Sequence, residues 1–465
     1  MSYNSTAQIT TKHDEASLFT GPVYHFFPLG LLGAPHEQAP AAETVAPDAP
    51  ENIRAVAQWI PHLQDLGVQA VLLGPIFNSA SHGYDTLDLF RIDPRLGSNA
   101  DFAALTAEFH RAGISIMLDA VFNHVGRGFF AFQDVLQHRE RSAYRSWFSE
   151  LRFDRPGPAG DGVDYATWDG HGDLVKLNLH EPEVRRYVLD AASLWIEEFD
   201  IDGLRLDAAD VIDPSLWPDL RSVVNTHYRS NRSFGRGRFW LNGEMVHGDY
   251  AAICGPDKLD GTTNYEVYKG LYSSHNDRNY HEIAHSLQRQ FAAGGIYRGL
   301  SMLSFADNHD VPRIASTLTD PRHLYPLHVL LFTIPGTPAI YYGSEVGLTG
   351  TKGDDDWPLR PQLTPQTLSQ HGSHPDLHAA IVRLSALRRS VAELAGSEYT
   401  PLFVSNEQIV FRRGTTVVAV NAADHDVEVE IPPGTYRDAL NADEAVIGGS
   451  VVAVPPLWGR VLVPR

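Results

Sequence analysis

The chain of 465 residues carries one cysteine, Cys254. A single thiol excludes an intramolecular disulfide and every C-x-x-C metal or redox motif, and Cys254 reads as an inert small residue. An excess of positive charge is missing too: 57 acidic residues face 37 basic ones, a net charge of −20 with histidines neutral. A field of that sign repels nucleic acid and anionic membranes, so a neutral or cationic partner is expected. Long apolar runs are absent. The longest, Ala70 to Phe77 and Val329 to Ile334, fall far short of the roughly 20 residues that cross a bilayer. The stretch Met1 to Glu15 is polar and lacks the apolar core of a secretory signal, which predicts a cytoplasmic protein. No internal repeat or low-complexity tract stands out, and the short acidic run Asp354 to Asp356 reads as a solvated loop.

What is present is the composition of a folded chain larger than one ordinary domain: hydrophobic residues make up 43% and charged residues 20%, outside the disordered range. From about residue 22 to 390, short apolar runs alternate with amphipathic patterns, the signature of repeated βα units around a parallel sheet. Strands are expected at Val23–Phe27, Ala70–Leu73, Ser115–Val121, Gly203–Asp207, Phe239–Glu244, weakly near Asn264, at Leu300–Phe305 and at Ala339–Tyr342. Val56, Ile60, Leu63 and Leu66 share one helical face that stops at Gly67, and a second helix runs from an expected N-cap at Asn99 to Gly113. Eight strands, with no Gly-rich phosphate turn after the first, favour an α/β fold of the closed (β/α)8 TIM-barrel type over a doubly wound sheet.

After the third strand roughly 60 residues pass before the next clear helix at Glu183, and loops that long inside a compact domain are usually functional. Residues 125–172, with Gly126, Gly128, Pro156-Gly-Pro158 and Gly160-Asp-Gly162, read as an irregular inserted subdomain over one end of the barrel. The barrel itself is assigned to 1–124 and 173–390. From 391 to 465 period-two segments such as Thr416–Asn421 and Val427–Ile431 predict an antiparallel β domain.

In such a barrel, function resides at the C-terminal strand ends. Four polar clusters end predicted strands: Asp119-Ala-Val-Phe-Asn-His124, Gly203-Leu-Arg-Leu-Asp207, Asn242-Gly-Glu244 and Phe305-Ala-Asp-Asn-His-Asp310. Side-chain alternation puts Arg205 and Asp207 on one face. A cation so close lowers a carboxyl's pKa, which suits Asp207 as an ionised nucleophile, while Glu244, in a less charged setting, suits a general acid. Two carboxyls with opposed protonation are what glycosidic cleavage requires. Asp310 arrives with His309, suited to sugar hydroxyls, and Tyr84-Asp85 offers an aromatic face and a carboxylate. Each residue alone is better explained as an ion pair, a cap or a packed core group; four clusters together favour a site.

These segments resemble the signature regions of the α-amylase superfamily, glycoside hydrolase family 13, across nearly the whole chain after residue 20. Gly83-Tyr-Asp-Thr-Leu-Asp-Leu-Phe-Arg-Ile-Asp-Pro-Arg-Leu-Gly97 and Gly336-Thr-Pro-Ala-Ile-Tyr-Tyr-Gly-Ser-Glu-Val-Gly347 are similar to further family motifs. The resemblance implies a retaining α-glucosidic cleavage with Asp207 as nucleophile, Glu244 as acid/base and Asp310 as transition-state stabiliser. It implies sugar-binding roles for Arg205, His124 and His309, stacking by Tyr84, and a pairing of Arg360 with Asp85 around a terminal sugar. Trp168, Trp357, Phe129, Phe130 and Phe153 are expected in loops rimming the cleft.

Phe130 to Gln137, Ser142 to Phe148 and Val175-Lys-Leu-Asn178 resemble the inserted domain of neopullulanases and cyclomaltodextrinases, which act on short, cyclic or branched α-glucans. Three departures accompany that likeness: the first strand begins near residue 23, without room for the extra N-terminal β domain that often completes a dimer; Ala208-Ala-Asp-Val211 replaces a Val-Ala-Asn-Glu run; and Val175 replaces a proline. Together they suggest a specialised substrate such as cyclic maltosyl-maltose. Many members bind calcium through an asparagine equivalent to Asn123 and a histidine four positions after the nucleophile. That position is Val211, so no calcium is expected at this site and no cofactor is required. An oligosaccharide substrate and a monomer or homodimer are expected. Transglycosylation or isomerisation, with the same three carboxylates, and a silent carbohydrate-binding barrel are the alternatives.

Overall fold

Eight short strands, all parallel, follow one another around a barrel. In the computed structural model, which describes residues 19–38, 52–230, 238–441 and 443–465, they are β1 (Val23–Phe26), β2 (Ala70–Leu73), β3 (Ser115–Ala120), β4 (Gly203–Leu206), β5 (Trp240–Gly243), β6 (Gly261–Thr262), β7 (Leu303–Phe305) and β8 (Thr337–Tyr341). The polar stretch Met1 to Glu15 lies outside the described residues. The sheet order is β6-β5-β4-β3-β2-β1-β8-β7, and a parallel bridge between Thr263 and Leu303 brings its two ends together.

Alternation fills both faces of each strand, as a parallel sheet covered by helices requires. Val23, Ala70, Leu72, Met117, Trp240, Leu303, Phe305 and Ala339 pack inside the barrel. Their neighbours Tyr24, Phe26, Val71, Leu73, Ile116, Leu118 and Leu204 pack outward under the helices. Each fully buried aliphatic chain in these layers contributes roughly 1.5–3 kcal/mol.

Three local expectations are corrected. The stripe through Val56 and Ile60 begins as a 3-10 turn over Ile53–Trp59 and becomes α-helical only at Ile60–Asp65, because Pro61 in the first turn lacks the N–H an uninterrupted helix would use. The second helix is capped by Ser98, not Asn99: Ser98 and Asp101 exchange side-chain-to-backbone hydrogen bonds in a capping box, while Asn99 turns back to Ile92 N–H and Phe90 C=O. The insert is more regular than its glycines imply. It contains the helix Phe130–His138 and a three-stranded antiparallel sheet of His124–Gly126, His171–Lys176 and Thr167–Trp168. Gly126 lets it close on the barrel, since a Cβ there would collide with the Asp85 carbonyl oxygen.

After the helix Leu377–Ser390 comes a six-stranded antiparallel sheet in the order Thr400–Val404, Gln408–Arg413, Thr416–Asn421, Trp458–Pro464, Val427–Asp438, Asp443–Val454. Buried Arg413, on the strand Gln408–Arg413, fastens it to the barrel by donating to the Thr333 carbonyl at the negative end of the helix Leu324–Thr333, beside Arg388 of the last helix, which donates to the Phe332 carbonyl.

Candidate active site

The polar clusters converge at the C-terminal mouth of the barrel, around one guanidinium. On β4, Arg205 lies in register with Asp119 of β3 on one side and Asn242 of β5 on the other. Its Nη1 donates to Asp119 Oδ2 at 2.5 Å and to Asp207 Oδ1 at 3.3 Å, and its Nη2 forms an ion pair with Glu244 Oε1 at 2.7 Å. Burial works against the cation, but Asp119 and Glu244 outweigh it and hold Arg205 protonated.

This sharing corrects the electrostatic expectation for Asp207. Burial pushes its carboxyl well above the usual range, Glu244 adds to the rise, and Arg205 only partly opposes them. One cation is thus divided among three buried carboxyls, Asp119, Asp207 and Glu244. Ala208, immediately after Asp207, adopts a left-handed backbone (φ 48°), and its N–H donates to Glu244 Oε2 at 3.1 Å. A strained residue at that position links the two carboxyls.

Asp310 sits opposite. Burial would raise its carboxyl, but His309 Nε2 at 2.9 Å, together with Arg360 and Arg205, holds it far below the ordinary range. His309 lies between Phe27 and Tyr84, stacked on both, and the Tyr84 hydroxyl bonds to His309 Nε2 and to Asp119 Oδ2. Arg360 lies over the Phe27 ring and pairs with Asp310 at 3.2 Å and Asp356 at 3.3 Å. The expected pairing of Arg360 with Asp85 is not formed: its stem on Phe27 and its bond to the His309 carbonyl commit it to the Asp310 side. Asp85 instead accepts from Ser81 Oγ at 2.6 Å, and its Oδ1 has no hydrogen-bond partner. His124 is lowered to about 3 by burial and by His82, so its ring is neutral, and its Nε2 is likewise without a partner. A buried acceptor and a neutral imidazole at one mouth suit an uncharged, polyhydroxylated ligand.

The aromatic rim is thinner than expected. Phe129 is buried in the insert, and Phe130, though 46% exposed, packs against Tyr144, Trp147 and Tyr187. Trp168 stands beside His124, and Trp357 stacks on His36 and meets Phe27 edge-on. Phe153 is half-buried against the core. Two apolar side chains near the carboxyls in sequence stand outward, Val211, in the run that departs from the subgroup, at 44% and Val246 at 39% exposure.

Calcium does not fit the residues present. Asn123 offers one buried oxygen without a partner, Val211 offers none, and among the described residues no group of three or more His, Cys, Asp or Glu could hold a metal ion. Six to eight oxygens are required. No helix of the described residues is long and apolar enough to cross a membrane.

Several site residues escaped the sequence reading. Asp119 stood in a collected cluster but received no role; its alternation with Met117, which packs inside the barrel, points it inward. Tyr265, whose hydroxyl donates to Glu244 Oε1 at 3.2 Å, follows a strand of only two residues. Asn308, like Asp119, stood in a named cluster without a role, and His25, whose ring meets that of His309 edge-on at 5.0 Å, stood in none.

Comparison with known proteins matches residues 48–384 to the family described as alpha amylase, catalytic domain. The chain belongs to the alpha-amylase family. Residues 403–460 match the alpha amylase C-terminal all-beta domain. The chain is 31% identical over 392 residues to a cyclomaltodextrinase of Geobacillus thermopakistaniensis, covering 82% of this chain and 64% of that one. It is 35% identical over 450 residues to neopullulanase 2 of Thermoactinomyces vulgaris, covering 91% and 73%. Among solved structures, the ligand-free cyclic alpha-maltosyl-(1→6)-maltose hydrolase of Arthrobacter globiformis superposes with a TM-score of 0.79 at 27% identity, over 97% of this chain and 100% of that one. The chain thus spans somewhat under two thirds of the Geobacillus relative but matches the Arthrobacter fold end to end.

Proposed function

We propose that the protein is a retaining glycoside hydrolase that cleaves α-glucosidic bonds in small cyclic or branched maltooligosaccharides, with Asp207 as nucleophile, Glu244 as acid/base and Asp310 as transition-state stabiliser. The observation that carries this reading is the sharing of Arg205 by Asp207 and Glu244 at adjacent strand ends, faced by an Asp310 kept ionised by His309 and Arg360.

The chemistry follows from that arrangement. Glu244 donates a hydrogen bond to the glycosidic oxygen, and the Arg205 guanidinium beside Asp207 stabilises the ionised form that attacks. An Asp207 oxygen then attacks C1, the bond from C1 to the glycosidic oxygen breaks, and the Glu244 proton passes to the departing sugar. Water, deprotonated by the Glu244 carboxylate, attacks C1 of the resulting ester and releases Asp207. Two inversions retain the α configuration. Charge developing on the ring in each step faces the ionised Asp310.

The substrate class draws on the names of the relatives: a cyclomaltodextrinase, a neopullulanase and a cyclic maltosyl-maltose hydrolase. The end-to-end match with the last favours a compact cyclic tetrasaccharide. Initial rates on cyclomaltodextrins, linear maltooligosaccharides, pullulan, panose and cyclic maltosyl-maltose, with the anomer of fresh product followed, test this reading. Turnover dominated by one small cyclic or branched substrate with α product is expected; initial β product, or no turnover of any, overturns it. A second reading, transfer to an acceptor sugar, draws on exposed Val211 and Val246, whose apolar surface disfavours water. Product analysis at high substrate concentration separates the two.

A further inference from the structure

One cation and two hydrogen-bond donors hold the Glu244 carboxyl, and they are not equally distributed. Oε1 takes Arg205 Nη2 at 2.7 Å and Tyr265 Oη at 3.2 Å, while Oε2 takes only the Ala208 N–H at 3.1 Å. Oε1 thus faces the cation and the phenol, while Oε2 faces a single backbone amide.

The Tyr265 hydroxyl is itself held. Asn308 Nδ2 donates to it at 3.2 Å. At the other end of the same amide, Asn308 Oδ1 accepts from the backbone N–H of Asp310 at 2.8 Å and of Val311 at 3.2 Å. Two backbone donors require an oxygen there, so the nitrogen must face Tyr265. One amide thus ties the turn bearing Asp310 to the phenol that grips Glu244.

The phenol comes from a firm base. Tyr265 opens the helix Tyr265–Asn276, whose cap Asn264 accepts from Val267 N–H and donates to Gln290 Oε1 at 2.8 Å. Its ring meets Phe305 of β7 edge-on at 5.0 Å. Burial and Glu244 keep the phenol protonated, so it serves as a donor.

The geometry points to a brace, Asn308 to Tyr265 to Glu244, in which Asn308 and Tyr265 are positioning residues that fix the rotamer of the acid/base and set it together with Asp310. It rests on the proposed glycosidase reading and adds a prediction of its own. A misplaced acid slows departure of a sugar, which needs a proton, but hardly slows departure of fluoride, which needs little.

The test compares a maltooligosaccharide with α-maltosyl fluoride in the parent, Tyr265→Phe, Asn308→Ala and the double variant, after circular dichroism has shown each to be folded. Tyr265→Phe is expected to lower kcat on the maltooligosaccharide roughly 10- to 100-fold, part of what a placed general acid supplies. Its KM should change little, and its first-turnover rate of fluoride release, which precedes the Glu244-assisted attack of water, should fall less than about 3-fold. In the Asn308→Ala background, the same change should cost less than about 3-fold more. Equal first-turnover losses on both substrates, or losses that multiply in the double variant, overturn the brace. A parent that turns over neither substrate overturns the glycosidase reading, and the brace with it.

Discussion

Arg205 Nη2 lies closer to Glu244, at 2.7 Å, than its Nη1 lies to Asp207, at 3.3 Å. The cation is thus placed between the two groups rather than dedicated to the nucleophile, with Asp119 as its third partner. Arg205→Ala strands three buried carboxyls. A loss of about 3–5 kcal/mol of stability is expected at pH 7.5, together with loss of nearly all turnover. Lowering the pH to 5 protonates the stranded groups, so the deficit measured by urea unfolding should shrink; a deficit unchanged between the two pH values would reject the shared-cation account. Arg205→Lys should rescue little, because a point charge cannot span three partners at once.

Asp207→Asn is expected to abolish turnover and raise stability. Burial and Glu244 hold the Asp207 carboxyl well above its ordinary pKa, so at neutral pH the native state bears a cost the unfolded chain does not. A neutral side chain of the same shape removes that cost, worth roughly 1–2 kcal/mol. The gain should grow as pH rises above the unfolded value near 4 and vanish below it. Thermal unfolding of parent and variant across pH 4 to 8 checks this, and a variant less stable throughout contradicts it.

The parts of this molecule that repeat with a period were legible in advance. Seven of the eight strands follow from apolar runs, and the strand-end carboxyls from their position. The sixth, Gly261–Thr262, carries no apolar run, and the weak expectation near Asn264 fell on the cap of the helix that follows it. What was hidden depends on register between strands and on bonds between distant residues. Alternation along β4 placed Arg205 with Asp207, but only the β3–β4 register sets Asp119 against Arg205. Asn308 meets Tyr265 across 43 positions of sequence, and no spacing announces such a contact. The insert's sheet was missed because its strands are two to six residues long and interrupted by turns, too short for a period to emerge.

Gly30 shows how packing reaches the site. A Cβ there would collide with the Arg360 backbone carbonyl. Arg360 in turn lies on Phe27, bonds the His309 carbonyl at 3.2 Å and pairs with Asp310. Gly30→Ala must therefore push Arg360 away from Asp310. A destabilisation of about 1–3 kcal/mol is expected from the overpacking. Turnover should fall at least tenfold even where the protein remains fully folded, since about 1.4 kcal/mol of lost positioning suffices. Initial rates well below the melting temperature decide it: full activity in the folded variant would mean that Arg360 does not help place Asp310.

Acid sensitivity should come in part from histidines far from the chemistry. His275 is buried; its Nδ1 donates to the Leu271 carbonyl at 2.5 Å and its Nε2 is hydrogen-bonded to the Tyr280 hydroxyl at 2.9 Å. Burial lowers its pKa to about 3, and that of His328 to about 4. The unfolded histidines titrate near 6.5. Between those values the unfolded chain binds protons that the native one refuses, so this contribution is intact above pH 6.5 and erodes as pH falls, by up to about 1.4 kcal/mol per histidine per pH unit. The raised Asp207 carboxyl pulls the other way over the same range, so the informative quantity is a difference between variant and parent. His275→Gln with His328→Gln should start less stable at pH 7.5 and lose less between pH 6.5 and 4.5. Parallel curves for variant and parent in that window would show that neither histidine resists protonation in the native state.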